Sequence, residues 1–217
     1  METCDLLKAN FLKRPAAICG DLDSVRPDVL SHYRQRGARI LKDADQYSTD
    51  FLKCLSFVAE KVRSKATNDP RKFERHDVAI FGGLGGRADQ AFSNLNLLYA
   101  NQGDRHPSRF PSLVIRDLYL ITPESIIFCL REGESEITTP VAPGALGESV
   151  GIIPLGTPAT ITTEGLEWDV KNWPTVFGGQ VSTSNHIKSA SVTVKSTARV
   201  LFTVEISKEP YTGDKDD

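Results

Sequence analysis

The feature that most constrains this chain is a change of apolar period near residue 105. Before it, Phe51, Leu52, Leu55, Val58, Ala59 and Val62 recur at the spacing of one helix face. Ala88, Ala91, Phe92, Leu95, Leu98 and Tyr99 mark one side of a second amphipathic helix over 87–102. Three short apolar runs, AAICG at 16–20, RILK at 39–42 and DVAIF at 77–81, alternate with helical stretches. The stretch at 27–36 opens on Pro27 and is closed by Gly37, as a short helix requires. Strand, helix, strand, helix predicts an α/β layer with a mostly parallel sheet. SKATNDPRKFERHD reads as a surface loop within it, and HPSRFPS as a linker after it.

Beyond the linker the period becomes two. Leu166, Trp168 and Val170 face one way while Glu167 and Asp169 face the other, and Val192 and Val194 alternate with Thr193 and Lys195. Such runs, separated by Gly, Pro and Ser turns, predict an all-β antiparallel sandwich. The expected organisation is an α/β domain over 1–106 and a β-sandwich domain over 107–217, ending in a disordered tail, YTGDKDD.

Composition narrows the functional classes. With 26 Lys plus Arg against 28 Asp plus Glu the net charge is -2, so the molecule as a whole carries no footprint for nucleic acid or anionic lipid. No apolar run is long enough to span a membrane, and METCDLLKANFLKRP is charged throughout, unlike a signal peptide. Cys4, Cys19, Cys54 and Cys129 form no CxxC pair, and the four histidines lack metal-ligand spacing. Free thiols in a reduced, cytoplasmic protein are expected.

The residues able to do chemistry lie in turns. Asp21 and Asp23 follow the first apolar run, two positions apart, so in an extended segment they face the same side. Two carboxylates where a parallel strand ends suit magnesium, which accepts substrate phosphates as further ligands. The plainer alternative is a solvated turn with side-chain to backbone hydrogen bonds. DADQYSTD brings Asp43, Asp45 and Asp50 after the next strand, with Ser48 or Thr49 placed to cap the following helix. GGLGGRADQ at 82–90 puts four glycines between a strand and a helix, where backbone amides can approach an anion. It matches neither GxxxxGK[ST] nor GxGxxG. Arg87 adds a planar fork suited to phosphate, and Asp89 could join a metal site, orient a hydroxyl or serve as a first-turn acid. Together these turns predict a magnesium–polyphosphate site without naming the acceptor.

Five ordered segments, ICGDLDSVRPDV, DQYSTDF, GGLGGRADQAFSNLNLLY, GIIPLGTPATITTEGLEW and VSTSN, resemble eukaryotic thiamine pyrophosphokinases, most like the fungal enzymes. The resemblance runs from about Ala17 to about Ile206. It implies an α/β domain followed by a β-sandwich, a homodimer, and transfer of pyrophosphate from ATP to the hydroxyl of thiamine, giving thiamine diphosphate and AMP. It further implies that Asp21, Asp23 and Asp50 gather around magnesium and the triphosphate, with Gln46 and Thr49 beside them. Gly85, Gly86, Arg87, Asp89 and Gln90 match the family's glycine-rich loop. Trp168 matches a tryptophan that stacks on thiamine from the partner subunit, although its alternation with Leu166 and Val170 also fits sandwich core. Ser184 and Asn185 match the thiamine-side loop.

Two departures stand out. Ala88 replaces an aromatic residue before the aspartate of the glycine loop. Only METCDLLKANFLKRPAAIC precedes GDLDS, without the family's first strand and ADGGAN-like loop, which the resemblance implies contributes an acid and glycines to the site. A non-catalytic thiamine- or nucleotide-binding protein is therefore the alternative to an active transferase.

Overall fold

The computed structural model describes residues 15–65, 76–101, 115–139 and 145–208. The N-terminal stretch with Cys4, most of the loop expected at 64–77, the HPSRFPS linker with the expected boundary at 106/107, and the YTGDKDD tail lie outside the described residues. What is described forms two compact units, residues 15–65 and residues 76–101 with 115–139 and 145–208.

In the first unit, β1 (Ala17–Gly20) and β2 (Arg39–Lys42) pair in parallel, with Ala17 opposite Arg39 and Gly20 opposite Lys42. Between them runs α1 (Pro27–Gln35), with Pro27 in its first turn, Asp28 at its N-terminal end and His32 and Arg34 in its last turn, as the helix dipole favours. Helix α2 (Asp50–Lys65) packs against β1 and buries Leu55 and Ala59, two of the positions the helical spacing picks out. Because β1 and β2 are parallel neighbours, the acidic turns that follow them leave from the same end. The Asp43 N–H continues the ladder by donating to the Gly20 carbonyl at 2.8 Å.

The second unit is a sandwich. One sheet has six strands in the order β10-β7-β12-β5-β4-β3: β3 (His76–Phe81), β4 (Ile115–Ile121), β5 (Ser125–Leu130), β7 (Leu146–Ile153), β10 (Ser182–His186) and β12 (Val200–Ile206). The other has four in the order β6-β11-β8-β9: β6 (Gly133–Thr138), β8 (Ala159–Glu164), β9 (Trp173–Thr175) and β11 (Ser191–Ser196). Between them lies the core, including Phe202, Ile152, Ile161, Val192, Val194 and Val200. Phe202 is wholly buried, so Phe202→Ala is expected to cost about 3–5 kcal/mol, read as a lower urea midpoint.

The mostly parallel sheet expected for the first half is corrected here. Among the described residues its parallel pairing is confined to β1–β2 and β3–β4. Strand β3 joins β4 in a mixed sheet whose other pairings are antiparallel. Helix α3 (Ala88–Asn101) is the crossover that makes β3 and β4 parallel. Its Tyr99 hydroxyl accepts the Leu155 N–H at 2.8 Å, and Arg199 Nη1 donates to the Tyr99 carbonyl at 2.6 Å, so α3 is tied to the sandwich. Phe92, placed by spacing on the apolar side of α3, is exposed, whereas Leu97 and Leu98 are buried.

The run 166–170 is not a strand either. Asp169 closes it into a turn by accepting from Gly165 N at 3.0 Å, Leu166 N at 3.2 Å and Thr163 Oγ1 at 2.9 Å. Leu166 still reaches the core and Val170 packs against it, but Trp168 is 55% exposed. The core reading of Trp168 is thereby removed.

Candidate active site

The first unit assembles the acids around a glycine. The Asp50 carboxylate lies on the backbone of Gly20, so close that a Cβ there would stand 2.8 Å from Asp50 Cγ. Asp50 Oδ1 accepts the Asp21 N–H at 3.0 Å, and Asp21 Oδ1 accepts the Asp23 N–H at 3.0 Å. The three predicted acids are therefore linked in one chain of hydrogen bonds at the end of β1. Leu22 between them adopts φ 64, a left-handed conformation rare for a branched residue, and this fixes the tight DLD turn. Asp43 and Asp45 form successive turns of the same kind, accepting from Asp45 N at 3.0 Å and Tyr47 N at 2.9 Å. The side-chain to backbone bonding of the plainer reading is thus realised at Asp21, Asp43 and Asp45.

Among the described residues, no group of three or more His, Cys, Asp or Glu side chains is arranged to hold a metal ion. Asp21, Asp23 and Asp50 are strung along hydrogen bonds and do not converge on one point. A pair of them nevertheless matches what magnesium takes from a protein, one or two carboxylates with phosphate and water completing the shell. The hard oxygen donors fit that ion.

One residue of this cluster carried no signal in the sequence. Lys53, on the first turns of α2, is only 5% exposed, yet its Nζ donates to the Asp43 carbonyl at 3.0 Å and to Asp50 Oδ1 at 3.3 Å. Burial alone pulls its ammonium down. The hydrogen bond and charge of Asp50, with the charges of Asp21 and Asp43, more than reverse this and raise it. Lys53 is the counter-ion that lets the acids sit together, and its lysine at Asp50 plus three reads in sequence as an ordinary helix-surface pair.

Thr49 caps α2, its Oγ1 accepting the Leu52 N–H at 3.3 Å. Gln46 is exposed and donates to the Ala44 carbonyl at 3.4 Å. Below the cluster the Cys54 thiol donates to the Cys19 carbonyl at 3.5 Å, and burial, followed by the neighbouring Cys19, pushes Cys54 up to about 11. Cys19, Cys54 and Cys129 are free thiols.

The glycine turn belongs to the second unit. Gly83 takes φ 91, a left-handed conformation that favours glycine; its carbonyl accepts Asn94 Nδ2 at 2.7 Å, and a Cβ would stand 3.1 Å from Leu120. Gly85 and Gly86 face open space, where a Cβ would meet nothing within 4 Å. The fork of Arg87 is engaged by Asp89, Nε donating to Oδ1 at 3.1 Å and Nη2 to Oδ2 at 2.6 Å. The Arg87 hydrogen bond and charge hold the Asp89 carboxyl below its ordinary range. Gln90, next along the first turn of α3, is exposed.

Trp168 and the VSTSN segment form a third cluster. Ser184 takes φ 56 at a register shift in β10. That bulge turns Asn185 inward, 5% exposed, where Oδ1 accepts the Trp168 N–H at 3.1 Å and Nδ2 donates to the Trp168 carbonyl at 2.9 Å. Asn185 therefore clamps the main chain that presents the indole. No helix among the described residues is long and apolar enough to cross a membrane.

Residues 5–107 match the family described as "Thiamin pyrophosphokinase, catalytic domain", and residues 134–201 match "Thiamin pyrophosphokinase, vitamin B1 binding domain". The chain is 35% identical to thiamine pyrophosphokinase 2 of Arabidopsis thaliana, over 90% of this chain and 67% of that protein. It is 34% identical to thiamine pyrophosphokinase 1 of the same plant, over 94% of this chain and 70% of the relative. The crystal structure of yeast thiamin pyrophosphokinase superposes with a TM-score of 0.72 at 28% identity, over 88% of this chain and 69% of the yeast chain. The chain belongs to the thiamine pyrophosphokinase family.

Proposed function

We propose that this chain transfers the pyrophosphoryl group of ATP to the hydroxyethyl oxygen of thiamine, giving thiamine diphosphate and AMP. The observation that carries this is its match to both the catalytic and the vitamin B1 binding region of one enzyme family. The thiamine hydroxyl oxygen attacks the β-phosphorus in line, its proton passes to solvent, the bond from that phosphorus to the α–β bridging oxygen breaks and AMP leaves, so the protein's work is positioning and charge neutralisation. A pair among Asp21, Asp23 and Asp50 would hold magnesium, with phosphate and water completing its shell, and the ion when bound would neutralise phosphate charge. The buried ammonium of Lys53 keeps Asp50 on Gly20, which supports this assignment. Gly85 and Gly86, where a Cβ would meet nothing within 4 Å, would let the backbone approach phosphate oxygens, with Gln90 and Arg87 alongside. Asp89 is assigned to orient Arg87, because a carboxylate held low by a guanidinium is a poor proton acceptor. Gln46 and Thr49 contact the nucleotide from the second acidic turn.

On the acceptor side, Trp168 stacks on the flat, cationic rings of thiamine, and its exposure favours this role. Asn185 and Ser184 hold the loop around it. The working unit is a cytoplasmic homodimer, the arrangement implied by the family resemblance and compatible with the free thiols.

Incubating the purified protein with thiamine, ATP and a magnesium salt tests the proposal. Thiamine diphosphate and AMP are expected in equal amounts. Calorimetric binding of thiamine or nucleotide without either product would overturn it.

A further inference from the structure

We propose that Glu167 and His186 are positioning residues for the indole of Trp168, and that by restraining it they set the affinity for thiamine; the second clause rests on the reading of Trp168 above. The His186 ring lies against the Trp168 ring, with centroids 5.1 Å apart and planes inclined by 44°. Its Nδ1 is 2.7 Å from Glu167 Oε2, so the imidazole is tied to the residue that immediately precedes the indole. Lys188 Nζ reaches the same carboxylate oxygen at 3.2 Å and Glu148 on β7 at 3.8 Å, which anchors the pair to the sheet. The hydrogen bond from His186, then that from Lys188, holds the Glu167 carboxyl below its ordinary range. At neutral pH it therefore accepts, and Nδ1 donates.

The consequence is geometric. Asn185 already fixes the Trp168 main chain through two hydrogen bonds, which leaves only the two side-chain torsions of the indole free. An indole that is 55% exposed would populate several rotamers without a neighbour. The imidazole removes some of them before the ligand arrives, so less ordering is left to binding. Neither residue touches the reacting phosphate in this reading. The effect belongs in the thiamine KM and not in kcat.

Trp168 and Trp173 are the two tryptophans of the chain, so a Trp173→Phe background makes Trp168 the sole fluorescent indole. In that background His186→Ala is expected to lower the indole's anisotropy. It should also raise the thiamine KM by about 3- to 10-fold, with kcat and the ATP KM within about twofold of the parent. Glu167→Ala, which unties the imidazole without removing it, should move both readouts the same way by less. His186→Phe keeps a ring against the indole and should recover most of the loss. Unchanged anisotropy in both alanine variants would overturn the positioning role. A fall in anisotropy with an unmoved thiamine KM would overturn the second clause. Trp168→Ala, measured alongside, separates that failure from failure of the reading beneath it: only the latter leaves its thiamine KM at the parent value.

Discussion

Asp50→Asn lowers the rate of thiamine diphosphate formation by about a hundred- to a thousandfold, the scale of losing one preorganised electrostatic contact to the transferring group. The substitution is close to isosteric. Asparagine keeps an oxygen where Oδ1 accepts the Asp21 N–H and the Lys53 ammonium, so the turn and the helix start survive and only the negative charge is lost. The melting temperature should fall modestly, because the buried Lys53 ammonium loses its main partner charge, while turnover collapses. Gly20→Ala approaches the same carboxylate from the other side. Its Cβ would stand 2.8 Å from Asp50 Cγ, and the carboxylate must move away from Asp21. A large loss of turnover with the charge intact is expected there too. Steady-state AMP release by both variants, beside a melting curve, is the measurement. Near-normal release from Asp50→Asn would detach the acidic turns from the chemistry.

The second large effect falls on the acceptor. Trp168→Ala is expected to raise the thiamine KM by about 10- to 100-fold, since stacking on one aromatic face is worth about 1–3 kcal/mol. The ATP KM should stay near its parent value. Trp168→Phe keeps an aromatic face and should retain most of the affinity. The turn that carries Trp168 is closed by Asp169 and clamped by Asn185 independently of the indole, so the truncation leaves the sandwich in place.

Much of this arrangement is legible in the sequence because local chemistry and global fold agree there. RILK forms β2 at the positions its apolar run marks, and Pro27 and Gly37 bound the first helix as punctuation. The alternation of Val192 and Val194 is a sandwich strand with both residues buried. What escapes the sequence is set by partners far along the chain. The period-two run at 166–170 mimics a strand, but the Asp169 carboxylate, by collecting two backbone amides, overrides it. Strand β3 follows helical segments and so reads as part of one parallel sheet with β1 and β2, yet its parallel partner is β4, and it lies at the edge of the six-stranded mixed sheet. Asp21 and Asp23 are legible as a carboxylate pair, whereas Lys53 gives no sign that it is buried against Asp50. Arg87 and Asp89 are legible as separate phosphate and metal candidates. Their bidentate pairing, which makes Asp89 a partner of Arg87, needs coordinates.

The most direct test of the account follows the phosphorus atoms. With ATP labelled at the β-phosphate, a single in-line transfer carries the label into thiamine diphosphate, releases unlabelled AMP in equal amount and forms no ADP. Appearance of ADP with thiamine monophosphate, or of thiamine diphosphate without the β-label, would contradict direct pyrophosphoryl transfer at this site.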